Sequence, residues 1–249
     1  MSGMSPVIRK KVRGLLFLLC SLVTGATAQE GNFWATGATT LYAYRATTLN
    51  YALGHAVRLP SPDRKKQLSV RTVEDSSDPD GLHINYTVRT GQATYRTKLL
   101  GFDGEVAWSP DSKAFAVTQT EGGGGLGSRV YVFYVGEKGL TRLDVSRPIE
   151  EDFGHPVKCD VRVPPNTGFI RWGADSSTLL VAAEVVPVSI CKCMGTFRAY
   201  EMALPSLAIV RTYSQIEAKK RFWHDLGDAL RYADDKCVPL VERYARESH

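Results

Sequence analysis

Apolar and polar positions alternate with a period of two in several stretches of the chain. Residues 68–73, 82–89 and 93–99 read as strands by this pattern. Residues 115–119, 130–135 and 140–145, and then 179–186, 196–204 and 207–213, keep strand character. The polar stretch 74–81 is a loop between the first two. From Gln215 the period lengthens. Ile216, Phe222, Trp223, Leu226, Leu230 and Ala233 recur every three to four positions, which predicts an amphipathic helix of about 18 residues. Ser214 followed by Glu217 has the spacing of a capping box at its start. Residues 238–249 read as a short extended or frayed tail. Upstream, 41–51 fits a strand and 46–53 fits a helix, and the pattern does not choose between them.

Between the strands a turn recurs. Ser61-Pro62-Asp63-Arg64-Lys65 is the first copy and Ser109-Pro110-Asp111-Ser112-Lys113 the second. Gly173-Ala174-Asp175-Ser176-Ser177 is the third, and Trp108 and Trp172 immediately precede the second and third copies. The copies start 48 and 64 residues apart. Proline presets φ, and the aspartate side chain caps its own turn before an apolar strand leaves it. With a short strand before each turn, each unit holds about four strands, as a propeller blade does. On this reading Trp108 is a core residue and Asp111 a turn cap. The expected fold is mainly β, a propeller-like array of about three to four four-stranded antiparallel sheets with a C-terminal amphipathic helix.

The Trp108-to-Lys113 turn, with its apolar strand and the following Val-Tyr-Val-Phe strand, resembles the WD40-like β-propeller repeat of the TolB type. Here Ser112 stands where that repeat usually has glycine, the first copy lacks the tryptophan, and the third has lost Ser-Pro. The resemblance covers about residues 55–213. It implies an exported or periplasmic binding platform rather than an enzyme, although such blades also occur beside peptidase domains. Three blades do not close a propeller. Either residues 29–60 supply a fourth sheet, or the ends of the array are covered, or two copies associate through open sheet edges.

The N-terminus adds a compartment. Arg9, Lys10, Lys11 and Arg13 precede the apolar run 14–23, and Ala26-Thr27-Ala28 offers a small-x-small cleavage site. That order is the pattern of a secretory signal peptide over 1–28, with a core too short to span a bilayer. The domains are then 1–28 signal, 29–213 β-propeller-like repeat and 214–249 helix and tail. The expected location is secreted or periplasmic, with no membrane span after cleavage. Removing the four basic residues of 1–28 lowers the formal net charge from +5 to +1. Overall charge therefore gives no support for nucleic-acid binding. Cys159, Cys191, Cys193 and Cys237 remain, an even count that in an oxidising compartment predicts two disulfides. Bridging Cys191 to Cys193 would be strained. One of that pair is expected to reach Cys159 and the other Cys237. The reduced alternative, soft ligands for Cu(I) at Cys191-Lys192-Cys193-Met194, requires free thiols.

Catalytic signatures are sparse. The glycine-rich stretch 121–128 lies between strands and lacks a Gly-Lys-Ser/Thr ending, so it reads as a hairpin loop rather than a phosphate cradle. The five histidines have no metal-ligand spacing. The insertion that lengthens the second repeat interval carries Glu150, Asp152 and His155, our candidate binding residues, because function concentrates on loops held by rigid scaffolds. No cofactor is expected. The leading expectation is a non-catalytic binding or scaffolding protein whose partner is another envelope or extracellular protein. A divalent-metal-dependent hydrolase using Glu150 to His155 is the alternative.

Overall fold

The computed structural model describes residues 41–49, 56–74, 82–101, 104–120, 127–154, 164–186 and 192–247. All belong to the compact unit Gly31–His249, distinct from Met1–Glu30. Residues 1–28, expected to be a signal peptide, the glycine-rich stretch 121–126, His155, Cys159 and Cys191 lie outside the described residues.

Three antiparallel sheets account for the strands. The first comprises β2 (Val57–Pro60), β3 (Gln67–Glu74), β4 (Leu82–Arg89) and β5 (Thr94–Leu100) in that order. The second comprises β6 (Gly104–Trp108), β7 (Ala114–Thr120), β8 (Ser128–Gly136) and β9 (Gly139–Asp144). The third comprises β10 (Asn166–Trp172), β11 (Thr178–Glu184), β12 (Phe197–Ala203) and β13 (Ile209–Ser214). Each is a four-stranded meander, as the repeat predicts. Among the described residues 29–60 add no fourth sheet. Instead β1 (Thr47–Leu49) pairs with β6, extending the second sheet to five strands, and 57–60 opens the first.

Strand alternation divides the core into layers. On β7, Phe115 and Val117 face the first sheet, joining Leu68, Ile84, Tyr86 and Phe133 in one cluster. Their neighbours Ala114 and Ala116 face the third sheet with Val130, Val132, Leu179, Val181 and Met202. On β11 the next layer begins, where Leu180 and Ala182 turn outward against Phe197, Phe222, Leu226 and Leu230. The period of two thus supplies both faces of each inner sheet.

The recurring turns hold neighbouring sheets in register. In each copy the first residue of the turn closes the same pair of backbone bonds, Ser112 N–H to Ser109 O and Ser109 N–H to Ala114 O in the second. The fourth residues, Arg64, Ser112 and Ser176, all have left-handed φ of 59°, 64° and 64°. The serines at this position are used. Ser112 Oγ accepts Asp63 N–H at 3.0 Å, and Ser176 Oγ accepts Asp111 N–H at 3.1 Å. A second repeated bond accompanies it. Trp108 Nε1–H donates to Leu59 O at 3.1 Å, and Trp172 Nε1–H to Ala107 O at 3.3 Å. Both bonds step from one sheet to the next at equivalent positions.

The C-terminal region departs from expectation. In place of one helix of about 18 residues there are α2 (Gln215–Phe222) and α3 (Asp228–Arg231), and residues 238–247, expected to be extended, form α4 (Val238–Glu247). The capping box at Ser214 and Glu217 is present. The break between α2 and α3 has a tertiary cause. Leu226 bridges Ala43, Gly227 N–H donates to Tyr42 O, and Tyr44 N–H donates to Asp225 O. A Cβ at Gly227 would lie 2.5 Å from the Leu41 backbone, so only glycine lets these segments meet. α4 follows Cys237 and buries Val238 and Val241, with Pro239 in its first turn, where the missing N–H is harmless.

Candidate functional site

The acidic insertion forms α1 (Ser146–Phe153), capped by Gly154 at φ 61°. Ile149 and Phe153, four residues apart, are buried between the second and third sheets. That leaves Glu150 and Asp152 on the flanks of the helix. Glu150 meets Arg129 of β8 at 3.4 Å, and Arg129 also bridges Asp144 at 3.1 Å. Asp152 meets Arg198 of β12 at 3.8 Å, and Arg198 reaches Glu242 of α4 at 3.3 Å. The two carboxylates are therefore directed to different arginines, one on each side of the helix. Among the described residues no group of three or more His, Cys, Asp or Glu side chains is placed to hold a metal ion.

Cys193 and Cys237 form a disulfide, with Cα atoms 5.4 Å apart. This is the pairing expected for one member of the Cys191/Cys193 pair. It ties the turn before β12 to the start of α4. Met194 is exposed beside it.

A second group of carboxylates is buried. Glu105 Oε1 accepts Leu41 N–H at 2.6 Å, and Oε2 accepts Tyr42 and Ala43 N–H at 3.0 and 3.2 Å. Burial raises its pKa from 4.5 to about 7, against the opposing pull of those three donors. Glu184 accepts the Tyr42 hydroxyl at 2.9 Å, and burial raises its pKa to about 7 as well. Tyr42 lies flat against Gly168, where a Cβ would approach its ring to 2.0 Å. These groups lock the 41–43 segment against the second and third sheets, and none reaches solvent. The turn aspartates are equally structural. Asp111 accepts Ser109 Oγ–H and Lys113 N–H, and at Asp63 the Ser61 hydroxyl and Lys65 N–H hold the carboxyl down at about 2.

Solvent-facing chemistry collects on the first sheet. Its inner face is apolar and packs on the second sheet. Its outer face forms an open groove of about 580 Å³. Strand register sets the lining. Arg58, Ser69, Thr87 and Arg96 lie in one cross-strand row, and Arg71, Asn85 and Lys98 in the next. Arg89 flanks them on β4. Among the described residues the lining contains five cationic side chains and no acidic one. No described carboxylate lies within ion-pair distance of Arg58, Arg71, Arg89 or Arg96. Overall charge concealed this face, since its cations are spread over 41 positions at alternate sites of four strands. The absence of any Asp or Glu from 82 to 102 is the sequence signal that could have found it.

The far end of the molecule carries an exposed aromatic group. Arg231 stacks between Tyr44 at 4.9 Å and Trp223 at 5.5 Å, with Tyr232 edge-on to Trp223.

No family model and no curated protein sequence matches the chain. Among solved structures it is similar to the acylaminoacyl peptidase of Pyrococcus horikoshii in an orthorhombic crystal form, at 11% identity and a TM-score of 0.36. That match covers 60% of this chain and 23% of the peptidase, so the chain spans less than a quarter of that protein's length.

Proposed function

We infer that the three meanders are successive blades of an open, propeller-like array of the TolB type, and that the chain is a non-catalytic, exported binding or scaffolding protein. The observation that carries this reading is the repeated bonding between turns. Two hydrogen bonds per junction, at equivalent positions in both junctions, make a stiff platform. Stiff scaffolds with solvent-facing polar surfaces suit recognition. The Cys193–Cys237 disulfide supports an oxidising compartment, such as the periplasm or the cell exterior. No helix of the described residues is long and apolar enough to cross a membrane. Glu150 and Asp152 serve as anchors for α1, and the basic outer face of the first sheet is the surface offered to a partner.

A turnover assay separates this from the hydrolase alternative. The purified chain is offered ester, phosphoester and peptide substrates with Zn²⁺, Mn²⁺ or Mg²⁺. No turnover above buffer is expected. Metal-dependent turnover that disappears in Glu150→Gln or Asp152→Asn would overturn the reading.

A further inference from the structure

We propose that the basic groove of the first sheet binds an acidic polysaccharide laid across its strands. The proposal deepens the binding-module reading and rests on it. The first argument is the spread of the cations. With strands about 4.8 Å apart, Arg58 and Arg96 of one row stand about 14 Å apart across the sheet. Arg71 and Lys98 of the next row stand about 10 Å apart. Cations so distributed neutralise charges repeated along an extended chain rather than one compact anion. Four of the five are arginines, whose planar forks match carboxylate and sulfate groups bidentately.

The groove's other side chains choose among polyanions. Ser69, Thr87 and Asn85 lie between the cations in the same rows, offering hydroxyl and amide partners to a hydroxyl-rich ligand. Among the described residues the lining has no aromatic side chain, so nucleic-acid bases find no stacking platform there. Among the described lining residues the one larger apolar side chain is Val73, which gives an anionic membrane little to insert. An acidic peptide would dock best by adding to a sheet edge, whereas this groove lies on a sheet face. A sugar chain bearing carboxylates or sulfates at intervals satisfies both the charges and the hydroxyls.

The test uses the purified full chain with its disulfide intact. Binding is measured to heparin and to alginate, with poly-glutamate, a single-stranded oligonucleotide and phosphatidylserine vesicles as competitors of other classes. Heparin or alginate should bind tightest. The triple substitution Arg58→Gln/Arg71→Gln/Arg96→Gln should weaken that binding at least about tenfold and flatten its dependence on salt between about 50 and 200 mM. Arg147→Gln, an exposed arginine on α1, should leave it unchanged. All three groove arginines are exposed, so the fold should survive, which circular dichroism checks. Absence of binding to both glycans would overturn the proposal. So would unchanged affinity in the triple variant, or equal affinity for any competitor. Those failures leave the binding-module reading standing, whereas metal-dependent turnover overturns that reading whatever the glycans do.

Discussion

Replacing Glu105 with glutamine probes the carboxylate that fastens the 41–43 segment to β6. Its folded pKa of about 7 lies above the ordinary 4.5, so the folded protein holds this proton more tightly than the unfolded chain does. The resulting stabilisation is complete below about pH 4.5, is lost as pH rises through 7, and stays lost above it. That difference in pKa between folded and unfolded states corresponds to roughly 3 kcal/mol. Glu184 contributes in the same direction and over the same window. Glutamine does not titrate, and at about pH 5 it stands in for a carboxyl that is itself neutral, with an –NH₂ in place of an –OH facing the same N–H groups. Glu105→Gln should therefore lie within about 1 kcal/mol of the unsubstituted chain at about pH 5. Between about pH 5 and 8 its stability should fall about half as much as that of the unsubstituted chain, because only Glu184 still titrates. Urea titrations at several pH values, read by tryptophan fluorescence, measure both. Equal slopes in the two proteins would refute the assignment of the titrating group.

Three further outcomes follow from the geometry. At Ser112, alanine loses the bond from Asp63 and keeps the left-handed backbone, whereas glycine loses the bond and relaxes the strain. Stability by urea titration should rank serine and glycine together, with alanine about 1 kcal/mol below. Gly168→Ala would drive a methyl group into the Tyr42 ring and should lower the melting temperature sharply, with loss of protection at Leu41 to Ala43 in hydrogen exchange. Cys237→Ser frees a link of sequence separation 44 and should cost up to about 4 kcal/mol, matched by reduction of the unsubstituted protein.

The strands were legible because a strand with one apolar face alternates with a period of two, as β4 does, and one buried on both faces reads as an apolar run, as β8 and β11 do. β4 was placed to the residue, and β3, β5, β7 to β9 and β11 to β13 to within a few residues at each end. Local turn chemistry was equally visible, as the Ser214 cap and the aspartate-capped turns attest. What was not legible depends on partners distant in sequence. Nothing in the 215–233 pattern reveals that residues 41–44 pair with 225–227 and interrupt the helix. Val238-Pro239-Leu240-Val241 looks extended, and becomes helical where the Cys193 link and the core beneath Val241 fix it. Glu150 and Asp152, singled out with His155 as candidate binding residues, are close in sequence but turn to different arginines. Their arginines come from strands 21 and 46 residues away, beyond what the local sequence can specify.

The departures of the first and third turns from the repeat become intelligible once the sheets are in order. Trp108 and Trp172 each donate to the sheet before their own, and Ser112 and Ser176 each accept from it. The first sheet has no predecessor among the described residues, and there the tryptophan position is Pro60 and the serine position Arg64. The residues that join sheets are missing where there is nothing to join. At the other end, the outer face of the third sheet keeps its apolar residues and buries them under α2 and the 226–230 segment. Two ends of one array thus solve the same exposure problem differently, one by a helical cover and one by a polar, cationic surface. A cover needs no partner. Charged side chains alone would keep an uncovered face soluble, but mixed charges would serve that purpose better than a single sign. An end face carrying four arginines and no anion among its described lining residues presents one sign of charge, which an anionic ligand complements.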